Sequence, residues 1–223
     1  MRKVARVVHD IVMSAYQEQA NTSFLQELLA RYAATLEPWA ERVARRMLLD
    51  VNDRSRQSWR ALGSEISLGL KQELEEAPTG RAFSSLLLEQ VGLITSIPRE
   101  AAERVQKLAT EALVNSTRAK ALSEEIMRSG EVAKSRAVLI ARTETSRAAT
   151  TFVQARSQHI GSTHFVWRTS RDGAVRPSHK RLEGMTFRWD EPPECDPGYH
   201  ALPGAIFNCR CYPEPLLPDP YSH

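Results

Sequence analysis

The hydrophobic pattern of the sequence changes near residue 160. Before that point, apolar residues such as Val4, Val8 and Val12 recur at the three- and four-residue spacing of amphipathic helices. After it, short alternating runs are separated by Pro and Gly, a pattern typical of strands and irregular loops. We therefore predict an α+β protein. A long helical N-terminal region should precede a small, loop-rich C-terminal module that contains β-strands.

Helix-breaking residues divide the helical region. A kink or restart is expected at Pro38, since proline removes a backbone donor and clashes with the preceding turn. Pro98 fits the first turn of a helix, and Ser129-Gly130 fits a helix end. The predicted helices are residues 1–20, 21–37, 39–76, 81–94, 96–128 and 131–159. The third is either one long helix or a pair broken near Asp53.

The C-terminal module contains three strand-like runs, at residues 165–169, 185–189 and 205–212. Asp172-Gly173 is a dipeptide favoured in tight β-turns, so we predict a hairpin turn there. The prolines from Pro213 onward predict an extended, non-helical tail.

Net charge and hydropathy limit the classes of protein to which the chain can belong. The net charge is +3 without a run of five like charges, which permits contact with nucleic acid but does not predict it. The longest apolar run, residues 137–141, is too short to span a bilayer, and the N-terminus lacks a secretory pattern. We expect a protein that folds in a reducing cytoplasm, where closely spaced cysteines bind metal more often than they pair.

The module holds all three cysteines, Cys195, Cys209 and Cys211, together with His179 and His200. Thiolates and imidazoles are the ligands that zinc prefers, and a small module with few apolar residues gains from a cross-link. These five residues are the candidate ligands of a structural zinc ion. Because C-x-C is not the common C-x2-C spacing, free structural cysteines remain an alternative, as does one disulfide with a leftover thiol.

A second candidate site is formed by Asp172, Arg176 and His179. A carboxylate, a guanidinium and an imidazole close to a turn can serve a hydrolase, with the histidine as base. However, no second acidic cluster and no nucleophile elbow accompany them. In the structural alternative, which we favour, Asp172 shapes the turn, Arg176 pairs with an acid such as Glu144, and His179 packs or binds structural metal.

Four motifs, taken together, resemble the phage Mu F-like minor head proteins, also called phage head morphogenesis proteins. They are IARTETSRA at 140–148, W-x-T-S-x-D-x-x-V-R-x-S-H from Trp167 to His179, Leu182-x-Gly184, and Asn208-Cys209-Arg210-Cys211. The recurrent positions of the family fall on Arg142, Glu144, Trp167, Asp172, Arg176, His179, Cys209 and Cys211. The resemblance implies three regions: a helical partner-binding region (1–117), a head morphogenesis domain (118–213) and a Pro-rich tail (214–223).

The resemblance further implies a non-enzymatic minor capsid protein of a tailed bacteriophage. It would be assembled in the host cytoplasm and lie inside the head at the portal vertex, with a role in head assembly, DNA packaging or ejection. Expected partners are the portal protein, the major capsid or scaffolding protein and packaged double-stranded DNA, but no membrane. The helices would dock through apolar stripes. The alternative is a metal-dependent hydrolase, such as a nuclease, centred on Asp172, His179 and the cysteines.

Overall fold

The computed structural model describes residues 2–17, 22–61, 77–115 and 119–218. The helices in these ranges are α1 (Arg2–Gln17), α2 (Thr22–Ala61), α3 (Gly80–Asn115), α4 (Ala119–His159) and the short α5 (Pro177–Lys180). The strands are β1 (His164–Thr169), β2 (Thr186–Arg188), β3 (Glu194–Asp196), β4 (Tyr199–His200) and β5 (Cys211–Pro215). Long helices precede a small region of antiparallel strands, which confirms the predicted α+β class.

Three predicted helix breaks are wrong. Pro38 lies inside α2, Pro98 lies inside α3, and Ser129-Gly130 lies inside α4. A glycine inside a helix costs about 1 kcal/mol and a proline about 3 kcal/mol relative to alanine. Tertiary packing of the flanking turns offsets such local costs, because most of the stability of a helix comes from its buried face.

Several predicted features fall on parts of the chain that the structure does not describe. They are the end of the first predicted helix (18–20), the end of the third (62–76), the boundary between residues 117 and 118, and the last part of the Pro-rich tail (219–223).

The structure divides into two compact units. Unit 1 comprises Met1–Ala44 and Leu88–Ala141, and unit 2 comprises Arg45–Leu87 and Arg142–His223. The helices α2, α3 and α4 therefore each contribute a segment to both units. The proposed division of the sequence into regions with separate roles, 1–117, 118–213 and 214–223, stays a prediction.

Unit 1 has a core made of helix stripes. Its buried members are Val4, Val8 and Val12 of α1, Leu25, Leu29 and Leu36 of α2, Ile97, Ala101 and Val105 of α3, and Ala133, Ala137 and Ile140 of α4. Residues three and four apart share one helix face, so each helix presents an apolar stripe to this cluster. The stripes are thus covered within the chain, and the expectation that they dock on a partner is wrong for these residues. No helix in the described ranges is long and apolar enough to cross a membrane.

Unit 2 contains a three-stranded antiparallel sheet of order β2-β1-β5. In the central strand, every second side chain is buried, namely Phe165, Trp167 and Thr169. This is expected because successive side chains of a strand point to opposite faces of the sheet. The predicted strands at 165–169 and 185–189 are confirmed. The third is wrong in its bounds, because β5 begins at Cys211 and continues to Pro215. An edge strand accepts prolines, since one side of its backbone needs no ladder partner.

The predicted hairpin turn at Asp172-Gly173 is also wrong. Residues 170–185, which include α5, connect β1 to β2. Asp172 instead accepts hydrogen bonds from the Ala174 amide at 2.9 Å and the Ser170 hydroxyl at 3.0 Å. These local contacts fold the chain into a turn that leads to α5.

Candidate metal centre

One imidazole and two thiols converge in the C-terminal module. His179 Nδ1 lies 3.4 Å from Cys209 Sγ and 3.4 Å from Cys211 Sγ. The ligand atoms of the three residues all lie within 4.8 Å of one another, and all three residues are buried. Two sulfurs and one nitrogen shielded from solvent are a donor set suited to a thiophilic metal such as zinc.

Local structure places each of these side chains. His179 lies on α5, which begins at Pro177, where the fixed φ of proline favours a first helical turn. The Trp167 ring packs edge-on against the His179 ring, with the ring centroids 5.5 Å apart. Cys211 opens β5 and pairs with Thr169 of β1. The site is therefore built where α5 and the start of β5 meet beside the central strand.

The two thiols differ in their acidity. A hydrogen bond from Cys211 lowers the pKa of Cys209 to about 5. The same contact, together with burial, raises the pKa of Cys211. The Gly204 amide also donates to Cys209 Sγ at 3.2 Å. The lowered pKa of Cys209 favours its thiolate, which is the form of cysteine that binds metal.

A carboxylate lies on the far side of the histidine ring. Asp196 Oδ1 is 3.6 Å from His179 Nε2. Asp196 is fixed by the Ser178 hydroxyl and by the Arg176 guanidinium, each at 2.7 Å, and these contacts lower its pKa. Arg176 also donates to the Phe207 carbonyl at 2.8 Å. A carboxylate placed behind a histidine in this way orients the ring of a metal ligand.

The other two candidate ligands stand apart from this group. Cys195 is buried, and its thiol donates to the Tyr199 carbonyl at 3.4 Å. His200 is exposed, with Nδ1 3.0 Å from the Pro192 carbonyl oxygen. The structure thus brings together three of the five predicted ligands.

The remaining motif residues have structural contacts. Trp167 is fully buried, as expected. The expected pairing of Arg176 with Glu144 is wrong, since Arg176 binds Asp196 and Glu144 lies 3.7 Å from the Arg147 guanidinium. That geometry follows from the sequence spacing, because Glu144 and Arg147 are three residues apart on one helix face.

Asp172 and Arg142 also lie outside the His/Cys group. Asp172 forms an ion pair with Arg210 at 2.8 Å. Arg142 is exposed on α4. A hydrolytic constellation of Asp172 with His179 is therefore not assembled at the cluster.

The helix motif at 140–148 and its continuation brace the cysteine loop. The Asn208 amide donates to the Thr143 hydroxyl at 3.5 Å. About two helical turns further along, the Thr150 hydroxyl donates to the Pro203 carbonyl at 2.6 Å. Both contacts join α4 to the segment that carries Cys209. Two motifs that are distant in sequence therefore meet in the structure.

Sequence reasoning missed two residues of the site, Asp196 and Gly204. Asp196 carries no local signal beyond following a cysteine. Gly204 has φ +85°, and an added Cβ would lie 2.8 Å from Thr150 Oγ1 and 3.1 Å from the Cys211 carbonyl oxygen. The Pro203-Gly204 dipeptide indicates a turn, but the close approach to α4 is a tertiary feature that local pattern does not contain.

Glu183 is one of the carboxyl groups of the module whose pKa is lowered, and it should contribute to the pH dependence of stability. Its carboxylate accepts the Thr169 amide at 2.6 Å and the Arg171 guanidinium at 3.1 Å, and the bond to Thr169 is the main reason that its pKa is lowered. A lowered carboxyl pKa contributes stability above the unfolded-state pKa of about 4.3, and this is lost as the pH falls through the folded value. The melting temperature should therefore decrease as the pH is lowered below about 4.

Thermal melts of Glu183→Gln between pH 7 and pH 3 measure this contribution. The variant is expected to lose less stability with acid than the wild type, because its amide does not titrate. Glu191→Gln, at an exposed position, is the control. Equal acid slopes for wild type and Glu183→Gln would contradict the assignment.

Comparison with known proteins agrees with the motifs. Residues 103–213 match the family described as Phage Mu protein F like protein. An uncharacterized protein of Haemophilus influenzae is 31% identical over 157 residues, which cover 70% of this chain and 34% of that protein. The chain thus spans about a third of the length of this relative. No solved structure matches. Through residues 103–213, which include the His/Cys cluster, the chain belongs to the phage Mu protein F-like family.

Proposed function

We propose that the chain is a minor head protein of a tailed bacteriophage that binds at the portal vertex and acts in head assembly, DNA packaging or ejection. Membership of the phage Mu protein F-like family supports a role in the phage head. The observation that carries the proposal is structural. Several polar residues of the family motifs brace one small module, as expected of a scaffold that presents a surface to other proteins.

The bracing contacts involve several motif residues. Asp172 pairs with Arg210 at 2.8 Å, and Arg176 joins Asp196 to the Phe207 carbonyl. A hydrolase centred on Asp172 and His179 needs both side chains at one reaction centre. The engagement of Asp172 by Arg210 and of His179 by the two cysteines supports the non-enzymatic role instead.

In this proposal the N-terminal helices make the contact with the portal protein. Their apolar stripes are buried within unit 1, so the contact uses the solvent-facing side. That side of α2 is charged with both signs, and its exposed residues within unit 1 include Glu27, Arg31, Glu37, Glu41 and Arg42. A charged, mixed surface gives specificity and orientation in a protein interface. The major capsid or scaffolding protein and packaged DNA are further contacts in the same proposal.

Deletion of the coding sequence from the phage tests this function. Heads made without the chain are expected to retain the portal protein but to yield fewer DNA-filled, infectious particles, and expression of the chain in trans should restore the yield. Heads with unchanged DNA filling and unchanged infectivity would contradict the proposal. If the deletion phage makes normal heads but its lysate lacks a nuclease activity that the wild-type lysate has, the hydrolase would be favoured.

A further inference from the structure

We propose that His179 Nδ1, Cys209 Sγ and Cys211 Sγ bind one zinc ion, which cross-links α5 to the start of β5. The site goes beyond the head function: it is a property of the isolated chain, so its test and the test of the portal role can fail independently.

The distances fit tetrahedral coordination. Zinc binds thiolate sulfur at about 2.3 Å and imidazole nitrogen at about 2.0–2.1 Å, so ligands at the tetrahedral angle lie about 3.6 Å apart. The two nitrogen–sulfur distances here are each 3.4 Å. Both nitrogen–sulfur distances therefore lie within about 0.2 Å of the required spacing, and all three donor atoms lie within 4.8 Å of one another.

The surroundings of the cluster also suit a bound cation. The Gly204 amide points at Cys209 Sγ, a contact that stabilises a sulfur carrying negative charge. Burial of His179, Cys209 and Cys211 excludes the bulk water that would compete for the metal.

The far side of the histidine ring supplies a second, independent indication. His179 Nε2 is buried without a hydrogen-bond partner, and Asp196 Oδ1 stands 3.6 Å away. When Nδ1 binds a metal, the proton must reside on Nε2, where it faces this carboxylate. Asp196 is held by Arg176 and Ser178, so it acts as a positioning residue for the ligand.

Cys195 is excluded from the ligand set although it is equally buried. Its thiol is directed to the Tyr199 carbonyl, and it does not belong to the group of three. The chain thus contains its own control: two cysteines that bind the metal and one that does not. In the same way, the exposed His200 is the control for His179.

Zinc content of the purified full-length chain, prepared under reducing conditions, tests the proposal. The wild type, Cys195→Ser and His200→Ala are expected to hold about one zinc per chain. Cys209→Ser, Cys211→Ser and His179→Ala are expected to hold none after gel filtration. Retention of zinc by the Cys209→Ser/Cys211→Ser double variant, or its loss from Cys195→Ser, would overturn the ligand assignment.

A measurement on the wild-type chain keeps the test decisive if a ligand variant fails to fold. Cobalt added to the apo chain should give the visible absorption of a tetrahedral ion with thiolate charge transfer, and X-ray absorption of the zinc form should show two sulfur neighbours. Three sulfur neighbours, no metal uptake, or a Cys209–Cys211 disulfide in the reduced preparation would each contradict the proposed site.

Asp196→Asn tests the positioning role. Loss of a carboxylate behind a metal-binding histidine weakens metal affinity by about 10–100-fold. Competition with a chromophoric chelator measures this affinity. The matched control is Asp190→Asn, which removes an exposed carboxylate that pairs with Arg188. Equal affinities for the two variants would show that Asp196 does not orient the ligand.

Discussion

Trp167→Ala is expected to lower the free energy of unfolding of the C-terminal module by about 3–5 kcal/mol, the usual cost of truncating a buried tryptophan to alanine. The side chain is fully buried on the central strand β1. It packs edge-on against His179 at 5.5 Å and against Phe187 at 6.5 Å, so its loss leaves a cavity between the sheet and α5. Such a loss is a large part of the stability of an ordinary domain.

Urea unfolding, with hydrogen exchange to localise the effect to residues 164–215, measures this loss. Trp167→Phe keeps an aromatic ring, and it should be less destabilising and remain measurable if the alanine variant does not fold. The control is Tyr199→Ala, because that ring is 68% exposed. A cost below about 1 kcal/mol for Trp167→Ala would contradict its place at the centre of the module.

Gly204→Ala is the second substitution with a large expected effect, a loss of about 2–5 kcal/mol. About 1–2 kcal/mol comes from placing a side chain at φ +85°. The rest comes from overpacking, since the new Cβ would lie 2.8 Å from Thr150 Oγ1 and 3.1 Å from the Cys211 carbonyl oxygen. The damage falls on the loop that leads to Cys209.

Gly198→Ala is the matched control, because Gly198 has φ +77° but open space around the position of a Cβ. It should show the backbone cost alone. In a Thr150→Ala background the extra cost of Gly204→Ala should shrink, because the nearest atom is gone, and a double-mutant cycle measures this coupling. Equal costs for the two glycines would show that the loop does not approach α4 as closely as described.

The elements that sequence reasoning predicted well are those with a clear local period. The alternation of Phe165 and Trp167 with solvent-facing residues placed β1 on the correct residues, and the stripe of Val4, Val8 and Val12 placed α1. The helix breaks predicted at Pro38 and Pro98 were wrong, because the low helix propensity of a single proline is offset by the apolar faces that the helix buries on either side of it. The strands β3 and β4 were missed, since runs of three and two residues are too short to show alternation.

The metal cluster shows the same limit. Composition pointed to His179, Cys195, His200, Cys209 and Cys211 as a set, because these residue types are rare and close in sequence. Which three converge depends on how α5 meets β5, a long-range contact that no spacing encodes. Asp196 behind His179 depends on the same contact, so it was not predicted.

Quantitative mass spectrometry of gradient-purified, DNA-filled phage heads tests the central claim of a head protein most directly. The chain is expected in these particles in few copies, far below the copy number of the major capsid protein. Its absence from purified heads, with the chain recovered only in the soluble lysate, would contradict the proposed function.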